Sequence, residues 1–434
     1  MVLARASQSV ITFSDAIQVK HLGFKAIAAT ATGGLNVLGF EILAMGTAFI
    51  VQSFVSQLVG RGERDQARRF AWYGLTIAVI AAVIAAALTQ LIGPALALTH
   101  YSPELRDEMA GYMAIRMLST GAIIGSEALG AWYGGLGNTW MQMVASLLTM
   151  VAAVALNWVL IDGHLGAPAM GVRGAAVASV LASAIGFGFL LIAFLRRWGN
   201  APRGPAGALS LRELRRVLRF GLPNGINWFL EFAAFQLFIN GVLASLGDET
   251  VAALNVVIAV NSVAFMPAFG LASAGAILAG QAIGRDARDL VWPQVKITLL
   301  CTMTWMGAIG VLYASVPGRV LSLFASAHSG QLVAIGTTML VISTAWQLTD
   351  AIGITLAETL RAAGDTTWTA VVRVGLAWLV FTPSAFIVVT RFHGGAVGAM
   401  LCLVGYLVLH ATALAWRFKS GAWKRIELIE PKLV

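Results

Sequence analysis

Apolar runs longer than the roughly 20 residues that cross a bilayer recur from end to end of this chain of 434 residues. In hydrocarbon a backbone N–H or C=O has no water to bond. A spanning run must therefore be a helix or belong to a closed barrel. The runs lack period-two alternation and exceed barrel-strand length, so helices remain. Twelve segments are read: 1–19, 27–59, 70–97, 109–136, 140–161, 174–195, 220–246, 251–283, 291–314, 332–360, 368–390 and 396–416. Composition agrees, with 58% hydrophobic and 11% charged residues, against about 25% charged in soluble domains. The expected fold class is an all-α integral membrane protein, twelve transmembrane helices arranged as two pseudo-symmetric six-helix lobes.

Basic residues orient the spans. Connections after even-numbered segments and the C-terminal tail hold nineteen Lys and Arg, Arg61, Arg203 and Arg361 among them, against six after odd-numbered segments. The positive-inside rule then places both termini in the cytoplasm. The net charge of +9 is read as this loop bias meeting anionic lipid, not as a nucleic-acid surface. Cys301 and Cys402 lie in apolar segments without metal-ligand spacing and are expected to be packing residues. The first segment contains Arg5 and barely reaches a span, so about ten further residues are expected ahead of Met1.

The chain repeats. Gln57, Gly60 and Arg61 match Gln281, Gly284 and Arg285 at an offset of 224, and Leu22-Gly23 matches Leu246-Gly247 at the same offset. Gly137-Asn138-Thr139 matches Gly364-Asp365-Thr366 at 227. Residues 1–195 are read as the N-lobe, 196–219 as a cytoplasmic linker, 220–416 as the C-lobe and 417–434 as a basic cytoplasmic tail. Six spans per half give both halves one orientation, with substrate expected between the lobes. In the linker, Ser210 and Glu213 are spaced as a capping box opening a short interfacial helix.

Acids inside apolar segments carry the functional expectation, because an ionisable group there is costly. There are six: Asp15, Glu41, Glu127, Glu231, Asp350 and Glu358. Glu358 stands near Arg361 and reads as paired; Asp15, Glu231 and Asp350 have no basic residue within a helical turn. Burial favours the protonated form of a carboxyl group, so such an acid can load a proton on one side and release it on the other. Alternatively, Glu231 with Asn224 and Asn255 makes a hard-oxygen set for Na⁺. In the tenth segment Trp346 and Gln347 share a face with Asp350 that suits a cationic organic molecule, the alternative being lipid-facing packing. Asn224 and Glu41 complete the substrate-binding candidates. Pro223, Pro267 and Pro383 break three segments and permit hinging.

Enzymatic chemistry has no foothold. No Gly-Lys pair exists, hence no P-loop, and the six histidines are scattered, His410 alone lying well inside a segment.

At these residues the chain resembles the multidrug and toxic compound extrusion (MATE) family, nearer its NorM-like branch. Gly221-Leu-Pro-Asn-Gly225 through Glu231 looks like the family's seventh-helix motif, whose glutamate belongs to the cation site. Gln347 to Asp350, with Gly364-Asp365-Thr366, looks like the tenth-helix motif with its membrane aspartate; Ser14-Asp15 resembles the first-helix motif. Leu156-Asn157-Trp158 resembles the end of helix five, where the Asn joins a polar N-lobe cluster. The resemblance implies alternating access and export of small organic cations or amphipathic molecules against inward H⁺ or Na⁺. Glu231, Asp350, Asp15 and Asn157 would be the cation-coupling residues, with Glu231 and Asp350 the metal ligands if Na⁺ is used. No further cofactor is expected, and the setting would be the lipid bilayer of a bacterial inner membrane, with the protein a monomer. There are two departures. Trp346 stands where NorM-like members commonly carry a tyrosine, which counts against Na⁺ coordination there, and Asp15 is only fourteen residues from Met1. The alternative within the same superfamily is a lipid-linked sugar flippase.

Overall fold

The computed structural model describes residues 18–99, 101–199, 201–202, 207–322 and 330–430, with Ile11 and Ser14 ahead of them. Among these, ten helices are long and apolar enough to cross a membrane. In chain order the helices are α1 (Lys25–Gly60), α2 (Arg64–Ala97), α3 (Pro103–Arg116), α4 (Thr120–Gly135), α5 (Thr139–Asp162), α6 (Gly171–Leu195) and α7 (Leu211–Leu246). They continue as α8 (Glu249–Gly284), α9 (Arg288–Ser315), α10 (Leu332–Ala362), α11 (Thr366–Thr390) and α12 (Gly395–Lys419). The fourth expected segment is α3 and α4 together, joined by a single 3₁₀ turn, Met117–Ser119. Ser119 Oγ donates to the Arg116 carbonyl at 2.6 Å and accepts from Arg116 Nη1 at 2.9 Å, a local side-chain bond that competes with the helix ladder. The first expected segment, with Asp15, lies mostly outside the described residues.

The outward faces invert the logic of a soluble protein. Val79 and Val83 on α2 and Ile297 and Leu300 on α9 are exposed apolar residues at helical spacing, as a lipid-facing surface requires. Cys301 is exposed on that same face of α9. Cys402 is partly buried, and both are free thiols.

The chain divides into two compact units, one ending at Gly225 and the other beginning at Ile226, within α7. In the first unit the core gathers Met109, Tyr112 and Met113 of α3 with Ile161 of α5 and Ala176 of α6. Trp132 of α4 stacks edge-on to Phe194 of α6 at 5.1 Å and donates its indole N–H to the Ala67 carbonyl at 2.8 Å. The first half of α7 lies against α1. A Cβ on Gly221 would come within 2.6 Å of the Thr47 carbonyl oxygen, so only glycine allows the approach. Pro223 sits inside this continuous helix.

The helix keeps the serine half of the expected capping box, Ser210 Oγ accepting from the Arg212 N–H at 3.2 Å, and runs unbroken into the seventh span. The Ser210 N–H is satisfied by Tyr73 Oη at 2.7 Å. Glu213 is drawn instead to α2, accepting from Tyr73 Oη at 2.7 Å and pairing with Arg69 at 3.1 Å. A phenol from a distant helix has taken the place that the glutamate fills in a local box.

In the second unit the core joins Phe238 of α7, Val257 of α8, Tyr313 of α9, Met339 of α10, Phe381 of α11 and Tyr406 of α12. Residues beyond α12 close a second cluster of this unit: Trp423 joins Ala279 of α8, Leu360 of α10 and Leu414 of α12, Leu428 is buried, and Gly364, in the left-handed region at φ 88°, leaves room for Ile426 and Leu428. Asp365 anchors this end by accepting two hydrogen bonds from Arg417 at 2.7 and 3.2 Å.

Candidate functional site

Glu231 is the midpoint of the site. It lies on α7 two turns past Asn224, and a π turn, Phe238–Val242, follows. Arg373 on α11 meets it, Nη2 standing 2.7 Å from Oε1, with 32% of the glutamate and 19% of the arginine side chain accessible. Both thus keep part of their surface uncovered although they sit within apolar helices. Asp350 of α10 lies within electrostatic reach of both, and Tyr406 of α12 stands beside the pair. Four helices therefore converge on two carboxylates, one guanidinium and one phenol.

Proline chemistry shapes the arginine's helix. Pro383 has no N–H to give back to the preceding turn, and there α11 widens into a π turn, Leu376–Phe381. Thr382 Oγ1 takes up the Ala377 carbonyl at 2.9 Å. Trp378, inside that turn, donates its indole N–H to the Leu230 carbonyl at 3.0 Å, one residue from Glu231. Phe238 and Phe381, one from each π turn, bring their rings to 4.8 Å. Phe381 continues to Tyr406 at 5.3 Å and Tyr406 to His410 at 6.1 Å. An aromatic column thus backs the ion pair.

Within one turn of its own helix Glu231 has no basic neighbour. Arg373 comes from another helix. Its signal was available: it is an arginine inside the apolar run 368–390, where a charge asks for a counter-charge.

The four substrate-binding candidates all sit in packed interior. Trp346 is 9% exposed among the second unit's core residues, so the face read as open to a cation is covered here. Gln347 is buried and donates to Asn261 Oδ1 at 2.7 Å; Asn261 in turn donates to Ser343 Oγ at 3.3 Å, tying α10 to α8. Asn224 is buried and gives its amide to the Gly46 carbonyl at 2.7 Å, while Asn255 is exposed on α8. Glu41 is 2% exposed and accepts from Thr120 Oγ1 at 3.2 Å, with Arg116 in electrostatic reach. The break between α3 and α4 is what carries Thr120 to it.

Of the other acids, Glu358 is paired with Arg361 at 2.5 Å, both side chains buried, as its spacing suggested. Glu127 is buried on α4. Asn157 is buried on α5 one turn from Val154, whose carbonyl accepts from Gln18 at 3.4 Å. Its expected neighbour Asp15 lies outside the described residues. His410 is a buried packing histidine on Tyr406.

Known proteins bear on this geometry. The family model MatE matches residues 1–159 and 226–387. A protein of Thermotoga maritima named probable multidrug resistance protein NorM is 25% identical over 422 residues, covering 96% of this chain and 90% of its own length. A protein of the same name from Rhizobium meliloti is 28% identical over 434 residues, with the same two coverages, 96% and 90%. Among solved structures, a crystal structure of MATE in complex with MaL6 superposes with a TM-score of 0.89 at 20% identity, covering 98% of this chain and 95% of that one. A eukaryotic MATE transporter, AtDTX14, gives 0.87 at 17% identity, covering 98% and 94%.

Proposed function

This chain belongs to the MatE family, and from that premise we propose that it is a secondary active multidrug efflux antiporter. It exports small cationic or amphipathic organic compounds by alternating access, driven by an inward cation. The observation that carries the reading is the partly accessible Glu231 held mid-span beside Arg373 and Asp350.

Two carboxylates and one guanidinium leave one negative charge when all are ionised. In a low-dielectric span that charge calls for a counter-cation. A coupling ion satisfies it in one state of the unit and a cationic substrate satisfies it in another. Binding that each excludes for the other is the physical content of exchange. Glu231 and Asp350 are the coupling carboxylates in this reading, with Asp15 and Asn157 a polar cluster of the first unit. Trp346, Gln347 and Asn224, committed to protein partners, serve to hold α10 and α7 in register around them. A lipid-linked sugar flippase would need a cationic centre for pyrophosphate, and here carboxylates outnumber the guanidinium two to one.

The multi-pass chain would sit in a bacterial inner membrane with both termini cytoplasmic, as a monomer. Dye efflux from everted vesicles, with pH and Na⁺ gradients imposed separately, tests the transport reading. Efflux should exceed that of empty vesicles under at least one gradient, and none under either would sink it. Cysteine labelling of the tail in intact cells tests the orientation: reaction with an impermeant reagent from outside would reverse it.

A further inference from the structure

Arg373 alters what the carboxylates around it can bind. We propose that Arg373 is a built-in counter-cation that reserves Glu231 and Asp350 for a single proton and shuts out Na⁺. The inference rests on the antiport reading and deepens it by naming the coupling ion.

A guanidinium keeps its charge at every physiological pH and offers only donors. Nη2, at 2.7 Å from Glu231 Oε1, already fills the oxygen that a metal ion would claim. A hard cation binds through several oxygen lone pairs at once and carries its whole charge into the site. Placed between Glu231 and Asp350, Na⁺ would set a second full positive charge against the guanidinium, where little water screens it. A proton needs one oxygen and takes no volume. One proton and one Na⁺ would neutralise the cluster equally; the difference is that a proton can sit on a single free carboxyl oxygen, whereas Na⁺ needs several oxygens at once and must compete with Nη2 for Glu231 Oε1.

The helix that carries the arginine is fixed against α7. Trp378, five residues along α11, is bonded to the Leu230 carbonyl at 3.0 Å, and the Phe238–Phe381 ring pair at 4.8 Å locks the same two helices. The backbones that carry the pair are thus held together along that seam. The other titratable side chains facing the cluster are Tyr406 and His410 on α12. Neither supplies a negative charge at neutral pH that would offset the guanidinium.

The test is Na⁺ titration of the purified protein in detergent, read by intrinsic tryptophan fluorescence, with choline chloride holding ionic strength. Wild type should give no saturable Na⁺ response. Arg373→Gln should acquire one, tightening Na⁺ binding roughly tenfold or more, the scale on which a neighbouring charge acts, and acid should compete with it. Arg373→Lys, which keeps the charge, should stay silent; a merely structural role for the arginine would not separate these variants. A saturable Na⁺ response in wild type overturns the proposal, as does its absence in a folded Arg373→Gln. If that variant does not fold, the wild-type and Arg373→Lys titrations decide: silence supports it, a response overturns it. Ion titration needs no transport, so vesicles that export no dye would fail the antiport reading alone. Conversely, dye export driven as well by Na⁺ as by protons would fail this inference alone.

Discussion

In the first unit the embedded acid Glu41 is sealed at 2% exposure and accepts from Thr120 on a broken helix. In the second, Glu231 keeps 32% of its side chain accessible and is met by an arginine. Around these unlike centres the turns are alike. Gly23 has φ 98° and ψ 174° and Gly247 has φ 100° and ψ 158°, each opening the next helix at the 224-residue offset. Gly137 at φ 82° answers Gly364 at 88°, and Arg197 at 59° answers Gly421 at 69°. Gly62 at 78° even answers a non-glycine, Asp286, at 59°. Duplication has kept the backbone where it must reverse and has let the charges diverge where helices face one another.

The largest expected effect tests whether coupling belongs to the second unit alone. Asp350→Asn and, separately, Glu231→Gln should bring gradient-driven dye efflux down to the level of empty vesicles while both proteins stay folded, as judged by size-exclusion elution. Glu41→Gln should leave efflux within about twofold of wild type, because its carboxylate spends itself on Thr120 and costs only one charged hydrogen bond, roughly 1.5–3 kcal/mol. Loss of efflux in Glu41→Gln with retention in the other two would reverse the assignment of the units.

Next in size is a contrast between equivalent turns. Glu358 and Arg361 pair at 2.5 Å in the interior of the second unit, whereas the first unit has Ala131 and Gly134 at the 227-residue offset. Arg361→Ala leaves a buried carboxylate alone and should cost about 3–5 kcal/mol, seen as a lowered detergent melting temperature. Replacing both residues together with Leu and Met should restore most of it, and if the double variant melts as low as the single one, the pair is not what stabilises this end.

The smallest effect concerns the loops that follow α4 and α10. Asp365 is tied twice to Arg417, and Asn138 is tied once, by its amide, to the Gly199 carbonyl. Asn138→Ala should cost about 1 kcal/mol and Asp365→Ala more, roughly 1.5–3 kcal/mol in all, because its partner is charged and partly accessible. Equal melting shifts would mean that the charge at Asp365 adds nothing.

What could be read from the sequence follows the range of the interactions. Spans were legible because each helix writes its own apolar length, and the repeat because Gly23 and Gly247 hold a conformation that side chains resist. The Glu358–Arg361 pair was legible because it lies three residues apart on one helix. Arg373 with Glu231 was not, since no local pattern says which helices will touch. Nor was Tyr73 at the head of α7, which draws Glu213 out of the local box while Ser210 still caps the Arg212 N–H. Trp346 illustrates a different limit: spacing gives a residue its face on a helix, and whether lipid, cavity or core meets that face is decided by the other helices.

The π turns in α7 and α11 bear on how such a unit can move. Each holds one residue more than an α-turn would. If that surplus residue is handed one position along, the stretch it passes is rotated by about 100° and advanced by about 1.5 Å, the step of a single helical residue. Hydrogen bonds are exchanged, not lost, so the helix need not melt. Glu231 and Arg373 each stand within two turns of such a defect. Like a wrinkle pushed along a carpet, it lets a rod turn one of its own segments in place while both ends stay seated.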